Sequence, residues 1–272
     1  MTKLFFILFT TLLPILAFES DEPVGKLNGA FRQTKNKYGS MTDWKPRDSV
    51  TVIKVFRDGY WFGAFYDDKR RGRYDEKNTG PSPFNGACGG TYELKNGKYV
   101  ETVGFYSWDS TAVGNVFTFD YKVSPQQYEQ YGMMNSEQYK NYPINEISER
   151  IRAKEPLKNS ALEGVWFMKE GQWGNDRLGE GKYKNIQVVK IFSYPMVVYA
   201  YYNAVTKQFN GAGGATYQYD GTTLTETNEF WSWQADGKRR GMVEKFKISP
   251  KNGQYTQQGW DGKLREVFVK VK

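Results

Sequence analysis

The chain has 272 residues, no histidine, a single cysteine, 17% aromatic side chains and a formal net charge of +8. Without histidine there are no His-dependent catalytic triads and no His-containing zinc, copper or iron sites, which leaves carboxylate, Tyr, Lys or lone-thiol chemistry. With Cys88 alone no intramolecular disulfide forms, so the core must hold by packing, and its material is aromatic.

At the N-terminus, Lys3 precedes an apolar run from Leu4 to Phe9 that resumes after two threonines and ends near Ala17. Residues 1–20 read as a secretory signal peptide, its apolar stretch too short for a comfortable membrane span. No cysteine follows at the junction, so a lipid anchor is not expected. No later stretch is apolar enough to cross a bilayer. The expectation is an exported protein, periplasmic or extracellular, with no integral membrane segment in its mature form.

From residue 21 to 134 the chain alternates Val, Ile, Thr and aromatics in short runs broken by glycine, the pattern of antiparallel strands. Between Asp67 and Pro83 lies a polar stretch carrying Lys69, Arg70, Arg71 and Arg73, read as a surface hairpin insertion. This basic cluster accompanies no nucleic-acid motif, so nucleic acid is not an expected partner, whereas the overall positive charge favours anionic surfaces. Residues 135–159 follow, where Pro143 opens a pattern with Ile144, Ile147 and Ile151 on one helical face and Glu146, Glu149, Arg150 and Arg152 elsewhere. This predicts a helical linker.

Residues 160–272 repeat what came before. Phe84-Asn85-Gly86-Ala87-Cys88-Gly89-Gly90-Thr91-Tyr92 returns 125 residues on as Phe209-Asn210-Gly211-Ala212-Gly213-Gly214-Ala215-Thr216-Tyr217. The same spacing links Glu101-Thr102 to Glu226-Thr227, Ser107-Trp108 to Ser232-Trp233 and Ser124-Pro125 to Ser249-Pro250. Upstream, Val52-Ile53-Lys54-Val55-Phe56 pairs with Val188-Val189-Lys190-Ile191-Phe192 at a larger spacing, the difference being the insertion. The fold expected is all-β: two tandem small antiparallel β-barrels, residues 21–134 and 160–272.

Leu162-Glu163-Gly164-Val165-Trp166 resembles the Gly-x-Trp entry motif of lipocalins and related calycin barrels. The first copy has Gly29-Ala30-Phe31 there. With the export signal and domain size, the chain resembles bacterial extracytoplasmic lipocalin-like proteins from about Leu27 to Lys272. The resemblance implies that Gly164 and Trp166 close one barrel end, with Arg265 of the last strand against the tryptophan, and that a ligand site lies inside. It implies no catalytic residue, cofactor or metal. The intact motif points to the second copy as the one enclosing the better-formed site.

The candidate ligand-binding residues are Glu101, Tyr106 and Trp108 in the first copy and Tyr217, Glu226, Trp231 and Trp233 in the second. Strict alternation puts Tyr106 and Trp108 on the face opposite Glu101, Phe105 and Ser107, and Trp231 and Trp233 opposite Glu226. Aromatics with a few polar groups are the usual lining of a small-molecule pocket; the bland alternative is that they fill two cores. Glu101 and Glu226, repeated at one strand position, read either as buried polar anchors or as solvated positions. Asn85-Gly86 and Asn210-Gly211 read as a tight turn or bulge needing positive φ. The leading expectation is a non-enzymatic protein binding a small amphipathic or apolar ligand. The rival is a glycan-binding or adhesion module using exposed Tyr60, Trp61, Tyr128, Tyr131 and Trp260. A carboxylate- or Tyr-based enzyme is the remote third.

Overall fold

The computed structural model describes residues 24–47, 50–67, 83–136, 139–233 and 239–271. The segment read as a signal peptide and nearly all of the 67–83 insertion fall outside the described residues.

The aromatic and β-branched runs form strands throughout. In the first half these are β1 (Gly29–Tyr38), β2 (Val50–Arg57), β3 (Tyr60–Asp67), β4 (Phe84–Lys95), β5 (Lys98–Tyr106), β6 (Val116–Val123), β7 (Gln127–Met134) and β8 (Tyr142–Arg150). The second half gives β9 (Gly164–Trp173), β10 (Ile186–Ser193), β11 (Met196–Asn203), β12 (Phe209–Tyr219), β13 (Thr223–Trp231), β14 (Val243–Lys251), β15 (Gln254–Gly259) and β16 (Leu264–Lys270). Each strand pairs antiparallel with the next, and β1 pairs with β8 as β9 does with β16, closing two eight-stranded up-and-down barrels in tandem. A barrel of eight strands is just wide enough to be filled by side chains or to hold one small ligand.

The expected helical linker is not helical. Tyr142–Arg150 is the closing strand of the first barrel, and residues 151–163 continue without regular helix. The isoleucine spacing is misleading because the residues turned inward are Ile144, Glu146 and Ser148, alternating at period two; Ile147 lies on the other face. Ending the first copy at residue 134 leaves it one strand short of closure.

Three apolar clusters hold the molecule together. One fills the lower first barrel around Phe31, Phe56, Tyr99 and Tyr128, and another the lower second barrel around Trp166, Phe192, Tyr255 and Phe268. The third lies between the barrels, where equivalent outward-facing residues of the two copies meet: Phe84, Phe105 and Phe62 against Phe209, Phe230 and Val198. Phe84 stacks on Phe209 at 6.3 Å and Phe62 on Phe230 at 6.1 Å. Ser193 Oγ also donates to the Phe56 carbonyl at 2.9 Å across this boundary.

Each barrel is capped at this lower end by a cation over a ring. In the second barrel Lys270, directly opposite Trp166 across the strand pair, sits 5.3 Å from the ring centroid. Arg265 does not reach it. That side chain pairs with Glu170 at 2.9 Å on the outside, because its register puts it on the opposite face of β16. In the first barrel the same position holds Arg150, 4.4 Å from Phe31, so the closure exists twice with different residues. Gly29 and Gly164 precede the ringed strands where a Cβ would collide with Arg150 or Lys270.

Candidate functional site: two barrel lumens with a charged floor

Above the apolar lower third, both barrels repeat one set of buried polar side chains, a lysine, a glutamine and two glutamates; in the first, Gln33 is buried as well, beside Tyr38. The first has Lys54 on β2, Glu101 on β5, Gln130 on β7 and Glu146 on β8; the second has Lys190, Glu226, Gln257 and Glu266 at the matching strand positions. All eight are buried. The solvated reading of Glu101 and Glu226 is therefore overturned, since each points into a lumen.

Two devices bring these residues to one chamber. Opposite Gly89 and Gly90, β5 carries an extra residue, so Phe105 pairs with Gly89 and Val103 with Gly90, skipping Gly104; β13 skips Glu229 opposite Gly214 and Ala215 in the same way. An extra residue reverses the alternation beyond it. Phe105 and Phe230 consequently turn outward to the inter-barrel core, and Tyr106 and Trp231 turn inward above Glu101 and Glu226. Strict alternation would have separated these pairs.

The second device explains the Asn-Gly-Ala and Ser-Trp repeats together. The Ala87 amide donates to Ser107 Oγ at 2.9 Å and Ala212 to Ser232 Oγ at 2.8 Å. Gly86, at φ +138°, and Gly211, at φ +155°, sit at irregularities in β4 and β12 where a Cβ would come within 2.3 Å of the Trp108 or Trp233 ring. The tryptophan lies flat on the glycine. Trp108 also donates from Nε1 to the Asn85 carbonyl at 3.0 Å. The positive φ expected of these glycines is present, in a bulge and not in a hairpin turn.

In the first barrel Lys54 Nζ donates to Gln130 at 2.6 Å and to Glu146 at 2.9 Å. Burial alone would raise the Glu146 carboxyl, but the Lys54 ammonium and the Tyr38 hydroxyl hold it below the usual range. Glu101 accepts from Tyr99 at 2.8 Å, and no lysine or arginine among the described residues comes within 4 Å of it. Burial pushes its carboxyl up to about 7. Above this floor is a cavity of ≈ 310 Å³ walled by Phe65, Tyr106, Trp108, Tyr139, Met134 and Ile144.

In the second barrel the lysine has changed partner. Lys190 donates to Glu226 at 2.9 Å and to Gln257 at 3.0 Å, and Glu266 instead accepts from Trp173 Nε1 at 2.9 Å and, weakly, from Tyr201 at 3.4 Å. Burial raises the Glu266 carboxyl. The chamber above, ≈ 270 Å³, is also lined by Trp231 and by the Arg239–Glu244 ion pair at 3.0 Å, with Arg239 over the Trp231 ring.

At mid-height the barrels diverge. Lys54 lies opposite Gly63, which faces Cys88; Lys190 lies opposite Tyr199, which faces Gly213. Tyr199 occupies space the first barrel leaves open, and a Cβ on residue 213 would sit 2.5 Å from its hydroxyl. The two chambers are of similar size, ≈ 310 Å³ in the first copy and ≈ 270 Å³ in the second, so the copy with the intact Gly-x-Trp motif is not the roomier one.

Of the sequence-derived candidates, Glu101, Tyr106 and Trp108 line the first chamber, and Glu226 and Trp231 the second. Trp233 stands beside the second chamber, packed on Gly211 and Tyr201. Tyr217 is at the closed end, hydrogen-bonded to Glu163 and edge-on to Phe192. Lys54, Gln130, Glu146 and their counterparts went unweighed, although a lysine kept between Ile53 and Val55 in one copy and Val189 and Ile191 in the other was a legible sign. Of the aromatics expected on an open glycan face, Trp61 and Tyr128 are buried and Tyr60 packs on Phe167 between the barrels, whereas Trp260 is exposed and Tyr131 half-buried beside Trp44. Among the described residues no His, Cys, Asp and Glu grouping could hold a metal ion, and no helix is long and apolar enough to cross a membrane.

No protein-family model matches the chain, and no curated protein matches it in sequence. Among solved structures it is similar to two crystal structures of mutants of the vaccine antigen transferrin binding protein B from Haemophilus parasuis Hp5. Each is 11% identical with a TM-score of 0.22; they cover 88% and 84% of this chain. The chain spans 64% and 62% of theirs, short of two thirds. Such a score falls below that of chains sharing one overall fold.

Proposed function

We propose that this chain is an exported, non-enzymatic binding protein of lipocalin-like build, and that its first barrel takes up a small amphipathic ligand. One observation carries this reading: the first copy, with Gly63 where the second has Tyr199, holds a chamber of ≈ 310 Å³ with aromatic walls and a hydrogen-bonding floor. That combination suits a molecule with an apolar body and one polar end. The paired carboxylates do not argue for catalysis, since Glu146 is held by Lys54 and Glu101 by Tyr99.

The test transplants the plug. Gly63→Tyr with Cys88→Gly gives the first barrel the pair that the second already accommodates, so the variant is expected to fold. Protein purified from its own host should release a small molecule in native mass spectrometry, and the double variant, its first lumen narrowed by the tyrosine, should carry markedly less of it. A molecule retained equally by both forms places the ligand elsewhere and overturns the reading.

A further inference from the structure

Counting formal charges in each lumen gives the same remainder. The first floor has one cation, Lys54, and two carboxylates, Glu101 and Glu146; the second chamber has Lys190 and Arg239 against Glu226, Glu244 and Glu266. Each chamber is therefore lined by one carboxylate more than by cations, with Arg47 at the Tyr38 end acting on Glu146 as well, and the carboxylate without a cation in contact falls on different strands: Glu101 on β5 in the first and Glu266 on β16 in the second. A buried carboxylate without a countercharge is costly, and it persists only as the neutral acid or beside a cation. In the first barrel this group borders an open chamber. The walls above it, Phe65, Tyr106 and Trp108, present ring surfaces of the kind that attract cations.

We propose that the first barrel receives an organic cation, an amine or guanidine carried on an apolar body, whose charge Glu101 neutralises while the aromatic walls enclose the rest. This rests on the function proposed above and specifies the ligand's polar end. The groups facing Glu101 are Lys54 from β2, Cys88 from β4, Tyr99 from its own strand, Tyr128 from β7 and Glu146 from β8. Burial keeps the thiol and both phenols protonated, and Lys54 is already committed to Gln130 and Glu146. The Lys54 charge reaches Glu101 only from beyond ion-pair distance, so among the described residues no cation is in contact with it. Because Glu101 must lose its proton to pair with the ligand, binding and ionisation are linked: affinity is full above the Glu101 titration near 7 and falls as pH drops below it.

Isothermal titration with three probes sharing one aryl tail, phenethylamine, phenethyl alcohol and hydrocinnamate, tests this. At pH 8 the amine should bind the chain at least about tenfold more tightly than the alcohol, and hydrocinnamate least. The amine's advantage should shrink about fivefold between pH 7 and 6, where the alcohol's affinity is flat. Glu101→Gln, which keeps an acceptor for Tyr99, should bring amine and alcohol to parity. Equal binding of amine and alcohol, both lost in the Gly63→Tyr, Cys88→Gly variant, would overturn the cation and leave the chamber standing as a ligand site. Tightest binding of hydrocinnamate would make Lys54 the recognition group and overturn the proposal. Amine binding unaltered in Glu101→Gln would also overturn it. If no probe binds at millimolar concentration, the chamber reading falls with it.

Discussion

At mid-height the first barrel sets Gly63 opposite Cys88, and the second sets Tyr199 opposite Gly213. Both solutions keep a large residue from meeting a large residue across β3–β4 or β11–β12, and both leave the lysine, glutamine and two glutamates below untouched. The bulges, the Ser-Trp clasp and the cation-capped end are likewise common to both. What duplication has altered is the filling of the lumen and the partner of the lysine. A charged floor is thus compatible with a lumen narrowed by a tyrosine as well as one that is not, so the floor is part of how this barrel is built, and the shape of the space above it decides which ligand fits.

The largest test of that distinction is removal of the lysines. Lys190→Met strands Glu226 and Glu266 in an interior where lysine and glutamate side chains are both 3% exposed, and it should cost about 3–5 kcal/mol in urea unfolding. Lys54→Met should cost less, because its side chain is 11% exposed and borders the larger chamber. Equal losses would erase the difference drawn between the two floors.

The next effect is a dependence on pH. The Glu101 carboxyl keeps its proton up to about 7 in the folded chain and only to about 4.5 when unfolded. The folded state binds the extra proton between those values, so stability is greatest below 4.5 and declines as pH rises through 7. The full decline is roughly 3 kcal/mol. Glu146 works in the opposite sense, its contribution vanishing as pH falls below the ordinary carboxylate range. Glu101→Gln should remove the Glu101 share of this decline and leave the part due to Glu266 in the second barrel. Melting temperatures across pH 4 to 9 read this directly.

A smaller contrast lies in the exchanged pair. Gly213→Cys drives a side chain into the Tyr199 hydroxyl and should cost about 1–3 kcal/mol, whereas Cys88→Gly in the hollow barrel should cost about 1 kcal/mol. The smallest signal is chemical. Burial raises the Cys88 thiol well beyond its ordinary value, so alkylation by iodoacetamide at pH 8 should run far slower in the native chain than in urea, and slower again with a ligand in the chamber.

The repeat, the strands and the two-barrel architecture were legible because alternation and a fixed spacing are properties of neighbouring residues. The floor was not, since Lys54, Glu101, Gln130 and Glu146 come from four strands and meet only when β8 closes on β1. Glu146 was hidden twice, by isoleucines at helical spacing and by its distance from the other three. The bulge at Gly104 was equally silent, because skipping one residue changes nothing in the local composition yet exchanges which of Phe105 and Tyr106 enters the lumen. The Ser-Trp and Asn-Gly-Ala repeats were conspicuous, and their joint purpose appeared only when the tryptophan was seen resting on the glycine.

The stack of Phe84, Phe105 and Phe62 against Phe209 and Phe230 has a bearing on how such a protein diverges. Because these rings belong to the outward faces of the same strands whose inward faces line the chambers, the two surfaces of each wall answer to different demands. Substitutions inside can reshape a ligand site one residue at a time while the shared exterior seam keeps the two halves folded against each other, which makes the hollow copy a place where new specificities arise at little risk to the whole.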